Sequence, residues 1–447
     1  MSRIRIIITI IVVVLTTLLT GCTGKEPNEI AYVVALGIDS TDDDNYKITI
    51  QYANTTQISG GASESGGKAG SEIVDNVTIE APNIYAGVGL ANNIVSKSFS
   101  MSHAKLIVFS KEIAEKGVKD MIETLVRSEE IRPDVFIAVA NTTANDYLTS
   151  VNPEMEVNPA QYYQLIYQKN QLVGIPDGQL REFFTGLYTD NYDSILPVAG
   201  VIEGAGGNSQ NDDKGQSKDS QNEGSEGSSE SLDSFESKNS DENEKEKDAE
   251  KNTSKYEYDI KNYVGGETAI EKKNKAEAIG AAVFEKDKMV GELGEVETEI
   301  CKMLKGDYTY SYLTYYNNDT PDIPITVKTT QQKKPKYKID TDKKTVDIEL
   351  YIESDLYSLP ADYNVENKIE DFERDVANYT SSACTEFINN FTKKYNSDIL
   401  KLNEKVKYKF LTNNQYNWFK KNVGWSEYKF SVCTNFKVRR TGLIVRK

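Results

Sequence analysis

The sequence predicts a multi-domain α+β protein with mixed, mostly antiparallel sheets and packed helices. Three observations carry that expectation. Stretches that alternate apolar and polar residues flank short acidic turns, which is hairpin patterning. A strand–helix–strand run in the first half reads as a βαβ-like unit. Near the C-terminus one long stretch repeats apolar residues every three or four positions and leads into another alternating strand.

In order along the chain, Ile30–Ile38 is expected as a buried strand, Asp39–Asn45 as a turn and Tyr46–Tyr52 as its half-buried partner. The Gly/Ser-rich stretch from Ile58 to Ser71 is expected to be mobile. Asn83–Ser96 reads as a helix and His103–Phe109 as a strand. Ser110 is placed to cap a helix carrying Ile113, Val118, Met121, Ile122, Leu125 and Val126 on one face. Arg132-Pro133 interrupts the chain before a strand at Val135–Ala140, and Tyr162–Tyr167 and Asp177–Leu187 continue as helical material. Residues Glu203 to Lys255 are almost devoid of apolar side chains and dense in acid. They cannot bury enough surface to offset their conformational entropy, so a disordered linker is predicted. Beyond it come a hairpin (Ala278–Phe284 with Lys288–Leu293), a short helix (Glu295–Leu304) and strands at Ile323–Thr329, Lys336–Ile339 and Val346–Ile352. Phe372, Val376, Tyr379, Ala383, Phe387, Phe391 and Tyr395 define a core helix over Ile369–Tyr395, about 40 Å long. Phe430–Val438 closes the pattern as a strand. The expected division is residues 1–21 as a leader, 22–202 as an N-terminal α+β region, 203–258 as the linker and 259–447 as a C-terminal α+β domain.

The leader has physical grounds. Arg3 and Arg5 precede an apolar run from Ile6 to Leu19, the length of a signal-peptide core and too short for a bilayer span. Leu19-Thr20-Gly21-Cys22 then fits a bacterial lipobox, with Cys22 as the lipid attachment site. Two acyl chains or more bury enough methylene for stable anchoring. A net charge of −17 and the lack of a basic stripe exclude nucleic acid as a partner. The remaining cysteines, Cys301, Cys384 and Cys433, form no Cys-x-x-Cys pair and are expected as small buried hydrophobes, with one disulfide as the alternative. His103 is the single histidine, so multi-histidine metal sites are excluded and a hydrolase triad would hang on that residue. Asp42 and Asp44 have the spacing of a calcium loop, but Lys47 and Ala53 stand where its glycine and glutamate belong. Gly87-Val88-Gly89 lacks the third glycine of a dinucleotide cradle. No catalytic, metal or cofactor residue is expected, and the chain is read as non-enzymatic.

In sequence order, several segments resemble the Ger(x)C family of spore germination lipoproteins, the C subunits of germinant receptors. They are Asn28–Asp39, Ser102–Phe109, Ala114–Gly117, Arg127–Arg132, Gly280–Gly291 with Glu297-Thr298, Asn396–Leu400 and Val438–Ile444. Thr23-Gly24-Lys25-Glu26 departs from the Trp-Asp-x-Arg-Glu run often found after the lipid cysteine, and the acidic insertion is long for the family. The resemblance implies several α+β domains without catalytic residues. It also implies a place on the outer face of the spore inner membrane and partnership with integral membrane subunits, one transporter-like and one large. Nutrient germinants would act on that complex, without necessarily binding this subunit. The competing readings are a solute-binding lipoprotein of a transport system, which would need two similar lobes around a cleft, and a lipoprotein hydrolase resting on His103.

Overall fold

The computed structural model describes residues 3–10, 29–43, 45–53, 74–153, 156, 158–168, 174–189, 191–202, 262–268, 274–317, 320–358 and 368–441. The expectations for Cys22, Asp44, the Gly/Ser stretch and the acidic linker lie outside these residues. The described residues belong to one compact unit.

Its larger sheet runs β3 (Val74–Ala81), β2 (Tyr46–Ala53), β1 (Ile30–Ser40), β5 (Leu106–Ser110), β6 (Phe136–Ala140), β7 (Ile195–Val201), β8 (Ala276–Glu285) and β9 (Lys288–Leu293), with short β4 (Ser98–Ser100) paired to β1. The four central strands are parallel and both flanks are antiparallel. β5 and β6 are buried at every position. That explains their continuous apolar runs, because a parallel sheet core is covered on both faces. Ile107, Phe109, Ile137 and Val139 face one core with α1 (Ile84–Ala91), α2 (Lys111–Lys116), α3 (Lys119–Arg127) and α6 (Leu180–Thr189). Leu106, Val108, Phe136 and Ala138 face the other, with α4 (Ala144–Ser150) and α5 (Pro159–Gln168).

The βαβ unit forms, with two adjustments. Ser110 caps as expected, its hydroxyl accepting from Ile113 N at 3.4 Å. The single helix expected after it is broken at Gly117, whose φ of 125° is open to glycine and strained for other residues. Residues 101–103 form a 3₁₀ turn, so the strand begins at Leu106 and not at His103. The helix expected to run to Ser96 stops at Ala91. Gly87 lets it approach β2: a Cβ there would stand 2.6 Å from Ile48 Cδ1. Helix-to-sheet packing accounts for that glycine.

Sequence patterning does not predict β3, β4, β7 or β10 (Tyr310–Asn317), and β7 decides the topology. It pairs antiparallel with β8, so the hairpin that follows residues 203–258 extends the sheet begun before them. Ala282 and Phe284 of β8 join the first core, while Ala281 and Val283 join the core of the smaller sheet. Phe183 and Phe284, from opposite sides of that segment, meet edge to face at 5.0 Å.

The smaller sheet runs β10 (Tyr310–Asn317), β11 (Thr320–Gln331), β13 (Thr345–Ser358) and β12 (Lys336–Asp340), with β14 (Lys429–Arg440) parallel to β13. β13 alternates buried and partly exposed residues along most of its length, the mark of a sheet with one covered face. The cover is α8 (Ile369–Tyr395), which buries Phe372, Val376, Phe387 and Phe391 as its spacing predicts. α7 (Glu295–Lys305) packs beside it.

Candidate functional site

Three polar constructions organise the unit. The first joins its two halves. Asp193, in the loop before β7, accepts from Asp398 N at 2.9 Å, and its own N–H donates to Asp398 O at 3.1 Å. Asp398 is buried and its carboxylate accepts from Leu402 N and Asn403 N at 2.6 and 2.8 Å, capping α9 (Leu402–Val406). Burial outweighs those two N–H bonds and pushes its carboxyl up to about 7. Beside it Lys401 reaches Glu182 of α6 at 2.6 Å and lies 4.2 Å over the Tyr192 ring. Burial alone would raise Glu182, but Lys305 and Lys401 outweigh it and hold the carboxyl below its ordinary value. Thus Asn396–Leu400, a segment that carried the family resemblance, is the latch between α8 and the larger sheet. Asn396 itself takes the left-handed conformation that ends α8.

The second construction lies under α4 and α5. Asp39, at the end of β1, accepts from Ala144 N at 2.6 Å and Asn145 N at 3.0 Å, capping α4. Its carboxyl is raised, chiefly by burial. Buried Gln51 donates to Leu148 O at 2.9 Å and accepts from Tyr163 Oη at 2.5 Å, and the Tyr147 and Tyr167 hydroxyls pair at 2.9 Å. Burial drives the three phenols well up. They are structural hydrogen-bonding groups with no ionisation within physiological reach.

The third seals an edge strand. α8 runs against the open edge of β14, and its side chains replace the missing neighbour strand. Asn389 accepts from Phe430 N and donates to Phe430 O at 3.1 and 2.9 Å. Thr385 accepts from Val432 N at 3.0 Å, Ser381 from Thr434 N at 2.9 Å and Glu373 from Val438 N at 2.8 Å. Four residues of helix rise about 6 Å and two of strand about 6.7 Å, so the registers match over several turns. The shallow groove lined by Ser381, Thr385, Asn389 and Val432 is this seam. Its Ser381, Thr385 and Asn389 are already engaged by the strand.

The sequence-predicted candidates do not converge. His103 is exposed, with its ring edge-on to Tyr32 at 4.8 Å and its Nδ1 3.0 Å from Ser102 Oγ; among the described residues no carboxylate is hydrogen-bonded to it. Cys301 and Cys384 are buried free thiols pushed up to about 11 and about 12 by burial. Cys433 corrects the expectation of three buried cysteines. It is free but exposed, because it points outward on β14, where side chains alternate between the α8 face and solvent. At the acidic turn, Thr41 closes onto Asn45 O through its N–H and hydroxyl at 3.2 and 2.9 Å. Among the described residues no metal-binding cluster of acids, cysteines and histidine occurs.

These interior polar groups hold distant segments of the mixed two-sheet frame together. Residues 24–201 match the model of the spore germination protein N-terminal domain, and residues 279–442 that of the spore germination B3/GerAC-like C-terminal domain. The chain belongs to this family of GerC-type spore germination proteins. Similar curated proteins include spore germination protein KC of Bacillus subtilis, 26% identical over 36% of this chain and 43% of its own length. The putative spore germination protein YfkR of the same organism is 28% identical over 32% of this chain and 37% of its own. The matches therefore span less than half of these relatives. The crystal structure of the GerBC protein aligns over 90% of this chain and 96% of its own at 15% identity, with a TM-score of 0.48. A role in spore germination follows from the family.

Proposed function

We propose that the chain is a lipid-anchored, non-catalytic subunit of a spore germinant receptor, held on the outer face of the spore inner membrane and acting through contacts with integral membrane subunits. The observation that carries this reading is the pair of germination-protein domains in order, the first beginning at residue 24, two positions past Cys22 of Leu19-Thr20-Gly21-Cys22. Among the described residues no helix is long and apolar enough to cross a membrane. Confinement by acyl chains raises the effective concentration for docking on membrane-embedded partners. Germinants would act on the assembled receptor.

The test is replacement of Cys22 by Ala, with mass spectrometry of the wild-type mature N-terminus. Diacylglyceryl mass on Cys22, release of the Cys22→Ala protein from membranes and slowed nutrient germination are expected. An unmodified thiol with unchanged membrane retention overturns the anchor. A ligand-dependent rise in melting temperature of the isolated protein would favour a solute-binding lipoprotein instead.

A further inference from the structure

The chain is strongly acidic, with a net charge of −17, yet residues 405–426 contain five lysines and no Asp or Glu. They follow α9 through α10 (Asn413–Asn422) to the turn before β14. The same stretch carries three highly exposed large apolar side chains, Leu411 at 94%, Tyr408 at 80% and Trp418 at 69%. Phe410 and Phe419 meet at 4.9 Å, so the loop bearing Tyr408 and Leu411 is a neighbour of the helix bearing Trp418. Below them Phe419 contacts buried Trp425, which ties this tip to the core. The exposed lysines are Lys407, Lys409 and Lys421. Lys409 also donates to Ile339 O, and Lys420, partly buried, anchors α10 to Thr189 O and Asn191 at 3.0 Å. Acids at the rim are Glu404, Glu427 and Asp340, the last held below its ordinary value mainly by the Lys343 N–H, with a contribution from Lys409.

The sheet places this tip relative to the N-terminus. Ile38, Phe109, Val139 and Val198 lie in one row across the parallel strands. Ile30 precedes that row on β1, and Asn191 precedes it before β7. Both therefore lie at the end of the sheet where the parallel strands begin, separated sideways by three strand spacings, about 14 Å. Asn191 is the residue that Tyr416 and Lys420 of α10 hold. The tether from Cys22 to Ile30 spans at most about 29 Å. The basic aromatic tip thus sits at the pole from which the tether leaves.

We propose that Tyr408, Leu411 and Trp418, with Lys407 and Lys421, form a contact surface for an anionic lipid bilayer. The aromatics and Leu411 would enter the headgroup region and the lysines would meet anionic headgroups. This rests on the Cys22 anchor proposed above for bringing the surface within reach of a membrane. It orients the whole unit, because a tether alone leaves rotation free and a second contact removes it.

Trp418 is a built-in probe, since Trp425, the other tryptophan, is 2% exposed. The chain from residue 23 onward, with an N-terminal polyhistidine tag replacing the leader and Cys22, is held on nickel-chelating vesicles containing brominated lipid. Vesicles with phosphatidylglycerol should quench and blue-shift Trp418 emission; phosphatidylcholine vesicles should not, and high salt should reverse the effect. Trp418→Phe should abolish the signal. Lys407→Glu/Lys421→Glu should cut it by roughly half or more. Emission that is the same on anionic and neutral vesicles overturns the proposal and assigns the exposed aromatics to a protein partner. Because the tag replaces the lipid, this failure leaves the anchor reading standing, and an unlipidated Cys22 leaves this result standing.

Discussion

The two sheets differ in how they keep their edges and faces from water. The larger one buries both faces under helices, so its central strands are apolar throughout and its polar work is done at strand ends, as by Asp39 and Asp193. The smaller one covers a single face. Its outer face carries Lys, Glu and Tyr, and its exposed edge is closed by a row of helix side chains. A buried parallel sheet takes its stability from packing. A one-sided sheet also needs its edge strand blocked, because unpaired N–H and C=O groups invite pairing with another chain.

The largest expected effect tests whether the sheets are energetically one body. Phe284→Ala removes a fully buried ring from the strand shared by both cores and should cost about 3–5 kcal/mol. Denaturant unfolding of the wild type should show one transition reporting both sheets; two separate transitions would make them independent.

Next comes the latch between them. Asp398 has a carboxyl raised from 3.8 to about 7 in the folded protein. The native state therefore binds its proton more tightly than the unfolded chain does. The resulting stability is full below about pH 4 and is lost as the pH rises through about 7. Urea midpoints of Asp398→Asn should flatten against pH over that window relative to wild type; parallel curves would remove Asp398 from the account.

The edge seal is worth less per bond. Asn389→Ala leaves the N–H and C=O of Phe430 without their side-chain partner and should cost about 1–2 kcal/mol. Concentration-dependent association, read by light scattering, should accompany it. Ala377, one turn from both Glu373 and Ser381, is the position in this register with no side-chain acceptor. Ala377→Ser should stabilise the seam by up to about 1 kcal/mol.

The smallest effect on stability has the sharpest readout. Thiol titration of the folded protein should label Cys433 ahead of Cys301 and Cys384, which unfolding should add. One further fast thiol would be Cys22, unmodified.

Periodicity made much of this legible. α8 forms over Ile369–Tyr395 as its apolar spacing requires, and the β1–β2 and β8–β9 hairpins form around their turns. The missed strands had weaker signals. β3 alternates over a short stretch beside a Gly/Ser run, β7 carries a proline, and β10 is a row of tyrosines on an edge. The exposure of Cys433 was also hidden, because inward and outward positions of a strand are known only once its partner face is known. The polar ladder along α8 was present as Glu373, Ser381, Thr385 and Asn389 at multiples of four, the spacing that marks one helix face, but nothing local says what that face meets.

By itself the sequence determined local form and family: which stretches are helix or strand, which residues are apolar enough to be core, and which ordered segments carry the resemblance. Those properties depend on neighbours a few positions away. Only the tertiary structure decided that β7 takes β8 as its partner across residues 203–258, that Asp398 latches onto Asp193, and that α10 is held at Asn191, at the end of the sheet where β1 begins. Each of these is a pairing between residues far apart in the chain, and such pairings are selected by the burial and hydrogen bonding of the whole unit, which leave no periodic trace in the residues that make them.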